Sequence, residues 1–271
     1  MKKLLFLLAT AITCTSIHSN AQFKLNVRTT DAAKKLTKAV TFSDEDAARQ
    51  AKQAVEWMDA HNPVAEENDK YTIRLKKIFA PHLNEDGLQL NFKVYKVSDI
   101  NAFACADGSV RVFSALMDIM TDEELLAIIG HEIGHIKNHD SRDAMKAAYL
   151  RAGGKDFAAS QSNTAAVLSE TQLGEMAEGI MNSSHSRKQE SEADDYSYDF
   201  LKKHNYNVIA AYTAFKKLAE LSAGAAEQSR FQKMFNSHPD SKARAEEIER
   251  KAKKDGLWKD TVYLIFDGTQ G

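Results

Sequence analysis

Apolar positions recur along most of this chain at helical spacing. Residues 41–60 read as a helix, with Ser43 as its N-cap and acids in its first turn. A second helix is expected over residues 66–79. It stops ahead of Pro81, because the residue before a proline avoids helical torsions. Residues 88–94 alternate apolar and polar side chains, the period of a half-buried strand. Gly108 marks a turn, and residues 110–113 follow as a short partner strand. Beyond Met120 the pattern is helical almost throughout, over residues 122–138, 164–181, 187–204, 208–221 and 241–254, with 261–266 as a closing strand. Gly153-Gly154 and the Ser/Asn-rich residues 160–163 read as a connection inside one domain.

Composition adds little beyond an ordinary globule. A hydrophobic fraction of 43% and a charged fraction of 27% exclude disordered, fibrous and disulfide-scaffold classes. A formal net charge of -2, with basic residues scattered among acids, speaks against nucleic acid or an anionic membrane as a partner. The first residues are read as a leader rather than as fold. Lys2 and Lys3 precede an apolar run too short to span a bilayer, and Ser19-Asn20-Ala21 supplies small residues at the cleavage positions. Residues 1–21 are therefore expected to be a signal peptide, with 22–271 a single domain that is periplasmic or extracellular. A minor alternative takes residues 11–14 as a lipobox, anchoring the protein through Cys14. Otherwise Cys105 stands alone and reads as a buried, inert thiol.

The chemistry lies in the helix over residues 122–138. Thr121 and Glu124 form a capping box that gives it a firm start. Leu125, Leu126, Ile129, Ile133 and Ile136 make a core stripe. His131 and His135, four apart, project together from the other side, beside Ala127, Gly130 and Gly134. Each glycine costs about 1 kcal/mol relative to Ala in a helix interior, so the pair asks for a second backbone packed close to the histidines. Two imidazoles on one face reach a zinc ion at about 2.0–2.1 Å; a catalytic site needs one more protein ligand and an open position. Glu132, next to the first histidine, is positioned as the general base of an H-E-x-x-H motif. The metzincin extension is excluded, because Asn138 and Ser141 stand where it needs Gly and His. A carboxylate from a later helix is the other source. Glu190 and Asp194, four apart with small Ala193 between, offer a ligand and a partner that fixes a ligand histidine's tautomer. A surface acid cluster is the alternative for that pair, and Glu192 falls on another, solvated face.

These residues resemble the HtpX/CAAX-prenyl-protease family of zinc peptidases, in particular its soluble exported branch of the BepA and LoiP kind. The resemblance covers about residues 99–248. It rests on Asn101-Ala102-Phe103 leading to Gly108, on His131-Glu132-Ile133-Gly134-His135, on Ser186-Arg187 with Glu190 through Asp194, and on His238-Pro239 with Arg244. It implies an α+β, mostly α-helical, zincin-like (gluzincin) domain with a small edge β-sheet. It also implies one Zn2+ per chain held by His131, His135 and Glu190, with Glu132 as base and protein or peptide substrates.

The resemblance brings His238 toward the metal, either to stabilise a developing oxyanion or to occupy the open coordination position. Arg187 and Arg244 can pair with site carboxylates, although exposed ion pairs are the commoner fate of arginines, and His139 is expected to continue the ligand side of its helix. His185 reads as an ordinary loop residue, and Tyr196 and Tyr198 as core or rim. Residues 110–113 read either as an ordinary hairpin strand or as the edge on which an extended substrate adds as a strand. The competing class is a binding or chaperone-like module in which zinc is structural or the site is permanently closed; four protein ligands and no adjacent base would mark a structural site.

Overall fold

A computed structural model describes residues 43–153, 168–223 and 228–259. The expected leader, Cys14, the cleavage position, the connection at 160–163 and the closing strand at 261–266 lie outside the described residues.

Helix α1 (Asp44–His61) opens with a Ser43–Asp46 capping box. It is followed by α2 (Lys70–Phe79), capped by Asp69, and by a 3-10 turn (Ala80–His82) with Pro81 in its first turn. The single strand expected over 88–94 is broken at Leu90. A two-residue hairpin, β1 (Asn84–Glu85) and β2 (Leu88–Gln89), turns through Asp86 and Gly87 at positive φ. β3 (Asn91–Tyr95) then joins a separate sheet with β4 (Ala102–Ala104) and β5 (Ser109–Phe113).

The strand order is β3-β5-β4, with β5 parallel to β3 and antiparallel to β4. β5 is therefore the central strand, which corrects its expected place at the edge; the strand at that side of the sheet is β4. Gly108 permits the turn into β5: its φ is +85°, and a Cβ there would sit 2.0 Å from the Gln89 carbonyl oxygen. Both faces of the sheet are covered, which accounts for the burial of every β5 residue. Ala102, Val110 and Val112 face one apolar core, whereas Phe103, Cys105 and Phe113 face a second. On that second face Arg111 is buried and forks onto the Asp59 carboxylate of α1 at 2.8 and 2.9 Å.

The remaining chain is helical: α3 (Ser114–Ile119), α4 (Asp122–Lys137), α5 (Asp140–Gly153), α6 (Glu170–Met181), α7 (Arg187–Lys203), α8 (Ile209–Ala223), α9 (Gln228–Ser237) and α10 (Ser241–Lys254). α3, α5 and α9 were not apparent from periodicity. α4 packs against α7, α8 and β4, while α5 and α6 pack on each other and on α1. Among the described residues no helix is long and apolar enough to cross a membrane.

Candidate metal centre

α4 begins at the expected Thr121–Glu124 capping box, and its residues 124–136 are all buried. The glycines explain how α7 comes so near. A Cβ at Gly134 would lie 3.0 Å from the Ala193 Cα, and one at Gly130 would lie 3.0 Å from Phe200. The two backbones meet at glycine on one side and alanine on the other. Glu190, in the first turn of α7, is thereby brought onto the histidine face of α4.

Four donor atoms converge there. His131 Nε2 lies 3.0 Å from His135 Nε2 and 3.2 Å from His238 Nδ1. Glu190 Oε1 is 3.4 Å from His135 Nε2 and 3.0 Å from His238 Nδ1, and its Oε2 is 3.6 Å from His131 Nε2. Donors bound tetrahedrally at about 2.1 Å stand about 3.4 Å apart, so this spacing suits one zinc-sized cation. All four residues are buried. Glu190 Oε2 makes no directional hydrogen bond, its charged neighbour being the Arg244 guanidinium at 2.9 Å. Four carboxylates (Glu132, Asp140, Glu190, Asp194) share the buried site with one guanidinium, Arg244. That imbalance also calls for a cation.

Hydrogen bonds behind the imidazoles aim their Nε2 lone pairs inward. His131 Nδ1 lies 2.8 Å from Asp194 Oδ1 and 3.1 Å from the Arg244 guanidinium, and His135 Nδ1 donates to Asp140 Oδ2 at 2.9 Å. Asp140 is itself oriented by Gln189 Nε2 at 2.8 Å. Burial, helped by the Arg244 charge, lowers the His131 pKa to about 3, leaving a neutral ring able to ligate. At His135 burial is outweighed by hydrogen bonds to Asp140 and Glu190, and the pKa rises to about 9. Glu190 is held far below the usual carboxylate range by the surrounding histidines, against its burial. Burial raises Glu132, whose Oε1 stands 3.4 Å from His238 Nε2.

Arg244 reaches the site as expected. It forks onto Asp194 at 2.8 and 2.6 Å, approaches Glu190 Oε2 at 2.9 Å and stacks over the Phe215 ring. Arg187 does not: it is 88% exposed and pairs with Asp240. His139 also departs from expectation, since α4 ends at Lys137 and His139 turns out toward Asp44 at φ +65°. That reversal carries Asp140 back onto His135, a contact that helical spacing could not foresee. His185, read as an ordinary loop residue, lies flat on the His135 ring at 3.8 Å between centroids, and its backbone N–H donates to the Ser237 carbonyl. Its only sequence signal was proximity to the capped start of α7. Tyr198 is core and Tyr196 is half-buried, donating to Asp86.

β4 borders the cavity beside the site. Phe113 N–H donates to the Asn101 carbonyl, and Cys105 N–H donates to that of Ser109, so Asn101 and Cys105 face β5. By alternation, Ala102 and Ala104 direct their backbone groups away from β5, toward the cavity that Glu132 and His135 also line. The Ala104 carbonyl accepts from Ser141 Oγ at 3.2 Å.

The profile described as Peptidase family M48 matches residues 72–252. The chain is 45% identical to "Metalloprotease YcaL" of Escherichia coli (strain K12), covering 78% of this chain and 82% of that protein. It is 40% identical to "Metalloprotease LoiP" of the same organism, over 81% and 85%. A "Protease HtpX homolog" of Streptococcus uberis is 45% identical over a short stretch, 18% of this chain and 19% of that protein. With a buried His-Glu-His donor set on α4 and α7 and these relatives across most of its length, the chain belongs to peptidase family M48 and is a metalloendopeptidase.

Proposed function

We propose that the ion is zinc, one per chain, held by His131, His135 and Glu190, and that Glu132 is the general base of peptide-bond hydrolysis. The observation that carries this reading is the zinc-sized spacing of the donors beside a carboxylate whose pKa burial has raised. When bound, the ion supplies the Lewis acidity that polarises the scissile carbonyl. Glu132 takes the proton of the attacking water and passes it to the leaving amine. Asp194 and Asp140 keep the two ligand histidines in the binding tautomer, and Arg244 holds Asp194 and Glu190 in place. Substrate is read as an extended segment adding beside β4 through the outward backbone groups of Ala102 and Ala104, a mode that recognises main chain more than sequence. That suits unfolded protein segments, and with the expected leader it supports a role in envelope protein quality control.

His238 favours the occluding reading over the oxyanion one. Its Nδ1 occupies the fourth corner of the donor set, and its Nε2 faces the base. On this reading the resting protein is latent: His238 would stand as a fourth donor beside an ion held by His131, His135 and Glu190, and opening would require it to withdraw. The decisive experiment compares variants on casein with zinc content measured in parallel. Glu132→Gln should keep the metal and lose cleavage, whereas His131→Ala should lose both. His238→Ala should cleave faster than wild type. A Glu132→Gln protein that still digests casein removes the catalytic assignment, and a slower His238→Ala protein removes the latent state.

A further inference from the structure

A second group of metal-type donors lies where the turn after α2 meets the C-terminal end of α7. His82 closes the 3-10 turn, Glu85 sits on β1 and His204 is the residue that ends α7. His82 and Glu85 are fully buried, at 0% and 3% exposure, and His204 is partly so. Both Glu85 oxygens stand 3.0 Å from His204 Nε2, and Oε2 is 3.3 Å from His82 Nδ1. One nitrogen of each ring and one carboxylate oxygen all fall within 4.8 Å of one another. Fourteen residues of helix separate His204 from Glu190, about 20 Å along the axis, so this group is distinct from the catalytic centre.

We propose that His82, Glu85 and His204 form a second divalent transition-metal site, one that takes zinc. Two imidazoles and a carboxylate are a donor set suited to that class of ion. The outer partners fit as well. His82 Nε2 is 3.0 Å from Tyr206 Oη, so a neutral ring can carry its proton there and turn the Nδ1 lone pair toward Glu85. Burial pushes the His82 pKa down. Burial opposes ionisation of Glu85, yet hydrogen bonds from Lys203 and His204 hold its pKa below the usual range.

Lys203 is the competing cation. Its ammonium contacts Glu85 Oε1 at 2.6 Å and Asp86 Oδ1 at 2.7 Å, and the side chain is half exposed. An ion that takes over Glu85 leaves Lys203 still paired with Asp86, itself fixed by Tyr196 at 2.8 Å. The bound ion would pin the β1–β2 hairpin to the far end of the helix that carries Glu190.

The test is zinc content of the full-length chain by plasma mass spectrometry, after equilibration with zinc and desalting, with circular dichroism as a check on folding. Wild type should hold two ions, His131→Ala/His135→Ala one, and that variant with His204→Gln added none. His204 is partly exposed at a helix end, and glutamine can still donate to Glu85, so the fold should persist. Glu85→Gln is a second route to the same loss, and each single variant in the wild-type background should hold one ion instead of two. A wild-type chain that saturates at one ion, with none left in His131→Ala/His135→Ala, overturns the proposal. So does retention of the second ion, with undiminished affinity, by both His204→Gln and Glu85→Gln. Failure of the catalytic-site reading looks different, since His131→Ala/His135→Ala would then leave the metal content unchanged.

Discussion

His135 depends on a neighbour that contributes nothing directly to the metal. Asp140 holds its Nδ1 proton, and removing such an outer partner typically weakens metal affinity about 10- to 100-fold. Asp140→Asn should show that loss in a zinc-chelator competition titration while Glu132 and the substrate edge stay intact. Elsewhere, Asp59 gives a residue-level dependence on pH. Burial opposes its ionisation, but hydrogen bonds from Arg111 and then Lys93 lower its pKa in the folded state below the ordinary 3.8. A depressed folded value adds stability above the unfolded pKa, and this is lost as pH falls through the folded one. Asp59→Asn should therefore be clearly less stable than wild type in urea unfolding at pH 7, and the gap should narrow once the pH drops below 3.8. The His131–His135 and Glu190–Asp194 pairs were legible in the sequence because i, i+4 spacing fixes which side chains share a helical face, and Glu132 was legible from the H-E-x-x-H motif. Asp140 and His185 were not, because a left-handed residue at the end of α4 and a returning loop deliver them, and neither leaves a period to read.

Between elements, the approach of α4 to α7 sets the whole site. Gly134 faces the Ala193 backbone with no room for a methyl group. Overpacking of this kind costs about 1–3 kcal/mol or shifts the backbone. Gly134→Ala should lower the melting temperature and reduce zinc affinity together, because the shift carries Glu190 with it; a melting temperature equal to wild type would contradict the tight interface. The sequence anticipated this contact, since two glycines inside a helix need a close neighbour. It did not anticipate that residues 110–113 would be central, because a strand buried on both faces reads much like one at an edge. The edge proposed for an extended substrate is therefore β4, not β5. Ala102→Pro removes an N–H that the β4–β5 ladder does not use, so it should raise KM with little change in stability.

For the whole molecule, one ion would join α4, α7 and the turn before α10, three pieces distant in the chain. Binding to the native state alone stabilises it by mass action, so chelation should lower the melting temperature, and readdition of zinc should restore it. An unchanged melting temperature in excess chelator would argue against a shared ion. The fourth corner has a further effect on anything aimed at this cleft. His238 is tethered to the fold within reach of the donor cluster, so it competes as an intramolecular ligand at high effective concentration, of millimolar order or above. If His238 occludes the site as proposed, a metal-chelating inhibitor would have to displace it, and its apparent affinity would fall by the fraction of molecules in which the histidine has swung aside. Compounds screened against the resting protein will thus look weak for a reason unrelated to their chemistry, and the same compounds should tighten on His238→Ala.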